Sequence, residues 1–501
     1  MTSLQGRMKR LQPIDKLAIS LILALGLAIG GIVWAGNSCG SDCLVQTGPR
    51  VKEFSWAGKA IGAEDKAFIL TFDRPMDRVS VEKNLVIDPP LPGKFSWAGR
   101  RLAYTLLAPI PYGENYEVQI DGAREHFRSG DRVGQVLQSF SAEFKSRDRA
   151  FAYIGTDGEE QGRLIVYNLT REKKKLLTPP NLTVMAFKFY PDGKKILFSA
   201  AAKDRGVQAI RELELYTVET ESDTESEGEP KIDRILDNET YQNNRFDLSP
   251  DGQTIVVQRI HRNNPADFDL WMIQGNDPPR RLNAKGGDFT IAPDGQTLAV
   301  AQGQGIAILP LKTDAKPLDF LPRFGRVLSF SPDGTAAAMV DFNTNDTKLR
   351  YVRSLFYVDD RGTRKRLLDA RGSIVDCHFN APGTHLYCLL TQLQTDSQEY
   401  KEKPYLAKIN IKTAKITPLL ELPDYRDIKM GVSPDGLAVL FDQVIAGYDA
   451  TGSNPLSTDS GEAIVSGRLW MLIPPIADDR KMSKPDLLEL PLPGIRPQWM
   501  P

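Results

Sequence analysis

The sequence predicts an all-β protein with an N-terminal transmembrane helix, a small β-sandwich and a seven-bladed β-propeller that is closed by its C-terminal strand. Three observations predict this architecture: one long uncharged segment near the N-terminus, a run of short alternating strands, and six similar hairpin turns. With 63 basic and 64 acidic residues among 501, the chain is close to neutral. This balance argues against a nucleic-acid-binding protein, which would normally be clearly basic.

The first element is a membrane segment at 17–35 (LAISLILALGLAIGGIVWA), which contains no charged residue. As a helix it would span about 28 Å, close to the hydrocarbon thickness of a bilayer. Basic residues are concentrated before it, so residues 1–16 are predicted to be a cytoplasmic tail, with the rest of the chain periplasmic or extracellular. This topology predicts a single-pass protein of the inner or plasma membrane. The alternative is a cleaved signal peptide, because residues 33–35 (VWA) fit a small-residue cleavage site.

Residues 36–47 are small and polar and are predicted to form a tether, and residues 48–146 to form a β-sandwich. Pro and Gly clusters separate short alternating strands, with no sustained helical period, at 66–72, 83–87, 102–107, 116–120 and 140–144. The segments at 72–77 (FDRPMD), 87–90 (IDPP), 93–97 (GKFSW) and 112–116 (YGENY) together resemble the bacterial Ig-like domain of S-layer-type surface proteins. This resemblance implies an extracytoplasmic spacer or adhesion module, and it implies no chemistry.

Residues 147–501 are predicted to form the propeller, because a hairpin turn recurs there between apolar strands. Asp-Gly between two such strands favours a tight hairpin, since Gly adopts positive φ without steric cost. The turns lie at 190–193 (YPDG), 249–252 (SPDG), 292–295 (APDG), 331–334 (SPDG), 380–383 (NAPG) and 433–436 (SPDG). Their glycines are 39 to 59 residues apart, and a repeat of about this length is typical of a propeller blade. The repeated motif is similar to TolB-type and WD-repeat-like propeller repeats.

The number of blades is predicted from what is left over at the two ends of the repeats. Six turns account for six blades between Val184 and Leu490. Strands at 149–154, 163–167 and 173–177 remain before them, and one strand at 496–500 remains after them. These strands are predicted to form a seventh blade that closes the ring and removes its open edges. TolB propellers are usually described as six-bladed, so this count departs from that resemblance.

Four cysteines are too few for a disulfide-built fold, but they form two close pairs. Cys39 and Cys43 are one candidate disulfide. Around the turn at 380–383, Cys377 would face Cys388 directly, whereas the neighbouring histidines at 378 and 385 would project from the opposite face. The register therefore favours a disulfide between Cys377 and Cys388 over two packed free thiols. It disfavours a metal site, whose ligands would have to converge from both faces.

Three further motifs are assigned structural explanations. The segment at 36–40 (GNSCG) matches a nucleophile elbow, but it lies in the predicted tether instead of between a strand and a helix. The turn aspartates are each expected to stabilise their own hairpin, not to form a ring of ligands. The acidic segment at 219–229 is predicted to be a solvated loop, the alternative being a cation or partner site. No catalytic residue, cofactor or metal site is predicted.

The sequence therefore favours a membrane-anchored extracytoplasmic binding or scaffold protein of the cell envelope, whose propeller recognises a protein or envelope partner. One alternative is a propeller enzyme, lactonase-like or lyase-like, with its site at the channel mouth. A second alternative is a purely structural envelope protein. Clustered His, Asp or Glu at a channel mouth would favour the enzyme, and an open channel of mixed polarity would favour binding.

Overall fold

The computed structural model describes Leu25 and residues 48–126, 134–220, 231–303, 305–314, 316–344, 346–349, 352–394, 400–423, 427–447, 456–458, 460–475 and 484–501. Apart from Leu25, the predicted tail, membrane segment and tether lie outside these residues, as do Cys39, Cys43 and most of the acidic segment. Within the described part of the chain, no helix is long and apolar enough to cross a membrane.

The first unit is built from eight strands in two sheets. The strands are β1 (Val51–Phe54), β2 (Ala60–Ile61), β3 (Ala67–Phe72), β4 (Leu85–Asp88), β5 (Gly93–Ala98), β6 (Arg101–Leu106), β7 (Asn115–Ile120) and β8 (Phe140–Ser146). One sheet has the order β1-β3-β6-β5 and the other the order β2-β8-β7-β4. Alternate residues of both sheets, such as Phe68, Leu70, Val118 and Phe144, share one apolar core. The sequence pattern missed β1, β2 and β5.

A short helix, α1 (Arg78–Asn84), lies in this region although the sequence shows no sustained helical period, and the strand predicted at 83–87 begins only at Leu85. Asp77 caps the helix, because its side chain accepts a hydrogen bond of 3.0 Å from the backbone N–H of Ser80. Only Val81 of the helix is buried. Two turns with one buried residue are too short to produce a recognisable helical period.

The second unit contains strands β9 to β35 and, in its described residues, two 3₁₀ helices at Gly158–Glu160 and Lys203–Arg211. The strands are β9 (Ala150–Gly155), β10 (Leu164–Asn168), β11 (Lys173–Leu176), β12 (Leu182–Phe189), β13 (Lys195–Ala202), β14 (Glu214–Glu219), β15 (Ile232–Leu236), β16 (Tyr241–Leu248), β17 (Thr254–His261), β18 (Phe268–Gln274), β19 (Arg280–Arg281), β20 (Phe289–Ile291), β21 (Thr297–Gln302), β22 (Gly305–Pro310), β23 (Asp319–Pro322), β24 (Phe324–Phe330), β25 (Ala336–Asp341), β26 (Arg353–Asp359), β27 (Arg364–Ala370), β28 (Ile374–Phe379), β29 (His385–Leu393), β30 (Glu402–Asn410), β31 (Ile416–Glu421), β32 (Met430–Val432), β33 (Val439–Gly447), β34 (Ala463–Ile473) and β35 (Asp486–Trp499).

Strands β12 to β31 form five antiparallel sheets, each made of four strands that are consecutive in the chain. Successive four-stranded antiparallel sheets of this kind are the blades of a β-propeller, as the repeated turns predicted. The remaining strands form one seven-stranded sheet in the order β11-β10-β9-β35-β34-β33-β32. Strands from the beginning and the end of the repeat region therefore share one sheet.

Strand β35 makes this connection. Its residues 486–493 pair with β34, and its residues 494–499 pair with β9, so that Trp499 lies opposite Phe151. The pairing of this segment with the strands at the start of the repeats was predicted from the sequence. The segment was expected to be a separate strand at 496–500, but it continues directly from the preceding one.

The hairpin turns have the predicted conformation. In the turn at 249–252, Gly252 has a φ of 70°, which glycine adopts without steric cost. Asp251 accepts hydrogen bonds from the hydroxyl of Ser249 at 2.5 Å and from the N–H of Gln253 at 3.0 Å. The aspartates of the other turns likewise bond to groups in their own turns, as expected.

The sandwich contacts the second unit on the side of these turns. The carboxylate of Asp435, whose side chain is fully buried, accepts hydrogen bonds from the N–H of Tyr112 at 3.3 Å and from Arg149 at 2.6 Å. The guanidinium of Arg147 donates to a backbone oxygen of Pro501 at 3.0 Å and also pairs with Glu64 of the sandwich. Asp435 therefore bonds to the sandwich in addition to stabilising its own turn.

Candidate binding site in the channel

The site lies where strands of different sheets face a common cavity of about 380 Å³, here called the channel cavity. Strands β12, β16, β20, β24, β28 and β35 all contribute to its lining. Among the described residues, seven titratable side chains line it: Lys188, Arg245, Asp247, Asp288, Arg326, Asp376 and His378. The cavity is therefore polar and contains charges of both signs.

A regular sequence position supplies most of these side chains. Lys188, Asp247, Thr290 and His378 each lie five residues before the glycine of the following turn. Arg245, Asp288 and Asp376 lie seven residues before it. Positions two residues apart on a strand face the same side, so both sets point into the cavity. The sequence analysis missed these residues, although their spacing from the turn glycines was the signal that could have found them.

Ion pairs in the cavity connect neighbouring sheets. Lys188 on β12 pairs with Asp247 on β16. Arg245 on β16 pairs with Asp288, which directly precedes β20. The same carboxylate lies 3.6 Å from Nε of Arg326 on β24. These contacts hold four successive first strands together around the cavity.

The carboxylate of Asp247 is saturated with hydrogen bonds. It accepts from the N–H groups of Leu248 at 2.9 Å and Ile291 at 2.8 Å, and from the hydroxyl of Thr290 at 3.2 Å, in addition to its pairing with Lys188. An ionised carboxylate has room for about four such bonds. Asp247 therefore organises the cavity wall and has little capacity left for a ligand.

Asp376 and His378 form a hydrogen-bonded pair, with Nε2 of the imidazole 2.9 Å from Oδ2 of the carboxylate. Burial lowers the pKa of His378, but the charge and hydrogen bond of Asp376 outweigh this effect, and the pKa is raised. Burial likewise raises the pKa of Asp376, but the charge and hydrogen bond of His378, assisted by Arg326 and the N–H of Cys377, lower it overall. Each partner thus favours the charged form of the other.

The end of β35 is joined to the strands on both sides of it. The carboxylate of Asp442, fully buried on β33, accepts the N–H groups of Arg496 and Lys429, each at 2.7 Å. Burial raises the pKa of Asp442 to about 6, despite these two hydrogen bonds. On the other side, the amide of Gln498 donates to the carbonyl of Phe187 at 2.8 Å. The buried Asp442 carboxylate is inaccessible to a ligand, and its hydrogen bonds stabilise the packing of these strands.

The cysteines and histidines singled out by the sequence at 377–388 do not form one site. Cys377 and Cys388 are directly opposite in the predicted register, fully buried, with their sulfur atoms joined in a disulfide bond. His378 faces the channel cavity, whereas His385 bonds to Thr384. Among the described residues, no group of three or more His, Cys, Asp or Glu side chains is arranged to hold a metal ion.

No protein-family model and no curated protein matches the sequence. Among solved structures, the chain is similar to an oligogalacturonate lyase from Vibrio parahaemolyticus, with 12% identity, a TM-score of 0.43, and coverage of 59% of this chain and 87% of that one. It is also similar to TolB from Acinetobacter baumannii, with 14% identity, a TM-score of 0.39, and 83% of each chain covered. Neither similarity supports the transfer of an activity to this chain.

Proposed function

We propose that this protein is a membrane-anchored binding or scaffold protein of the cell envelope, which recognises a protein or envelope partner without catalysing a reaction. The observation that carries this proposal is the channel cavity, where charges of both signs from several sheets face one space. The cavity also contains His378 and three aspartates, the kind of cluster that would favour an enzyme. These carboxylates, however, lie against basic side chains and N–H groups, an arrangement that suits shape and charge recognition better than proton transfer.

The propeller in this proposal has seven blades in a closed ring. Five sheets have four strands each, and the seven-stranded sheet divides into two four-stranded units if β35 is counted in both. The contacts of β35 with Phe187 on one side and with Gly431 on the other support closure of the ring. Closure would leave no open edge between the first and the last blade.

The sandwich is proposed to be an Ig-like stalk. A groove beside the Lys66 end of β3 separates the sandwich from the turns of the propeller. At the other end of β3, Phe72 pairs with Val51, near the beginning of the described unit. The chain thus enters the sandwich at the end that lies away from the propeller. This arrangement supports a spacer that holds the propeller off the membrane.

The proposed topology is tested by protease accessibility. Protease added to spheroplasts is expected to digest the propeller, because the basic residues before the uncharged segment retain the N-terminus in the cytoplasm. Complete protection of the propeller would contradict the proposal. Secretion of a soluble form that lacks the first 35 residues would instead support the signal-peptide alternative.

The proposed binding function is tested by crosslinking in intact envelopes, followed by purification of the full chain. The variant Arg326→Glu reverses a charge in the channel cavity, and Arg280→Glu on the outer strand β19 is the matched control. A specific partner should be lost with the channel variant and retained with the control. Identical capture by the wild type and both variants would show that the channel cavity does not recognise the partner.

A further inference from the structure

Two of the three carboxylates in the channel cavity, those of Asp247 and Asp376, are already engaged in hydrogen bonds. Asp247 accepts four hydrogen bonds, two of them from backbone N–H groups. Asp288 binds Arg245 through one oxygen and lies beside Arg326 with the other. Asp376 accepts from the N–H of Cys377 and bonds to His378. The free acceptor capacity is therefore mainly at Asp288, which lies between the guanidinium groups of Arg245 and Arg326, and these positive charges disfavour a cationic ligand there.

The donors of the same cavity are only partly used. Arg245 donates one hydrogen bond, and Arg326 donates one, at 3.4 Å, to the carbonyl of Val375. Lys188 donates one, to Asp247. A guanidinium or an ammonium group has several N–H groups, so each of these side chains has donors to spare. Their side chains remain 48%, 41% and 44% exposed, respectively, which leaves the spare donors accessible to a ligand.

The charge balance points in the same direction. Asp376 is hydrogen-bonded to His378, so the carboxylates of Asp247 and Asp288 are the ion-pair partners of three basic side chains, Lys188, Arg245 and Arg326. Arg245 and Arg326 share a single carboxylate, Asp288. The guanidinium of Arg245 also lies 5.9 Å from the ring centre of Phe289, which restricts its orientation. Two guanidinium groups with one carboxylate between them provide a favourable site for a second carboxylate.

We propose that the channel cavity binds its ligand through a carboxylate group held by Arg245 and Arg326. This inference rests on the proposed binding function and specifies the chemistry of the ligand. The carboxylate belongs either to an acidic side chain of a protein partner or to a free small acid, and both fit a cavity of about 380 Å³. The two sources share the same chemistry and are separated by the choice of probe.

Calorimetry on the full chain in detergent, with hexaglutamate and citrate as probes, tests the inference. Binding of at least one probe is expected. Arg245→Gln and Arg326→Gln should each weaken it about tenfold, the value of one charge-assisted hydrogen bond, and Arg280→Gln should leave it unchanged. Binding of hexaglutamate but not of hexaglutamine would indicate a protein source. Binding of citrate alone would indicate a free acid.

A variant that is expected to strengthen binding distinguishes a specific effect from misfolding, since a misfolded protein would bind less. Asp288→Asn removes the carboxylate that Arg245 and Arg326 share, so both guanidinium groups should become available and the affinity should rise severalfold. The inference is overturned if neither probe binds, if only inorganic phosphate binds, or if Asp288→Asn weakens binding while the protein stays folded. Partner capture that depends on Arg326 without carboxylate binding would overturn this inference and leave the proposed function intact. Carboxylate binding without any partner that depends on the channel cavity would support this inference and contradict the proposed function.

Discussion

Replacing Trp499 with Ala is expected to destabilise the propeller more than any ordinary change near a chain end. Its side chain is 8% exposed and packs edge-to-face against Phe151, with ring centres 5.8 Å apart. Its indole N–H donates to the carbonyl of Gly431 at 3.1 Å. Trp499 thus joins the strand from the end of the repeats to β9 at their beginning and to the neighbouring strand β32.

The magnitude follows from these contacts. Truncating a buried Trp costs about 3–5 kcal/mol in the free energy of unfolding, through lost apolar contact and the cavity that remains. A unit of roughly 350 residues has an unfolding entropy of about 0.7 kcal/mol per kelvin at its melting temperature. The melting temperature of the propeller should therefore fall by about 4–7 °C.

Differential scanning calorimetry of the wild type and the variant measures this shift. The matched control is Leu488→Ala, which lies on the first half of the same strand and is 45% exposed. This control should change the free energy of unfolding by less than about 0.5 kcal/mol. Equal melting temperatures for Trp499→Ala and the wild type would refute the reasoning, as would an equal shift in the control.

Three further predictions concern single groups. Peptide mapping without reductant should recover Cys377 and Cys388 as a linked pair, and recovery of two free thiols would disprove the bond. Reduction should lower the free energy of unfolding by about 2–3 kcal/mol, because the bridge spans 11 residues. Because burial raises the pKa of Asp442 to about 6, its folded form retains a proton that the unfolded chain releases near pH 4. Its contribution should therefore make stability fall by up to about 3 kcal/mol as the pH rises from 4 through 6. Urea midpoints at pH 4 and 7.5 should show most of this fall in the wild type and less of it in Asp442→Asn, and parallel profiles would contradict the assignment. Asp435→Ala should lower the free energy of unfolding by about 1–3 kcal/mol, because it leaves the Arg149 guanidinium without its buried partner. It should also speed proteolysis at 147–149, and unchanged cleavage would mean that this contact does not hold the sandwich in place.

The sequence alone predicted the repeated part of the fold, because its determinants are local. Each Asp-Gly turn selects its own backbone conformation, and the alternating strands on either side can only pair around it. The cross-strand position of Cys377 and Cys388 followed from the same turn geometry. The pairing of 494–499 with β9 was also predictable, since three strands were left over before the repeats and one strand was left over after them. By contrast, α1 and the short strand β2 were missed, because a few residues with little burial leave no periodic pattern.

Only the tertiary structure decided what faces the channel cavity and where the sandwich lies. Arg245, Asp288 and Arg326 belong to three different repeats, and nothing in their local sequence indicates that Asp288 is shared. The contact between Asp435 and Tyr112 joins residues 323 positions apart. Local propensities act over a few residues, whereas charge pairing between sheets depends on how the sheets are arranged around one another. The channel chemistry is therefore a property of the assembled sheets, although every side chain in it was visible in the sequence.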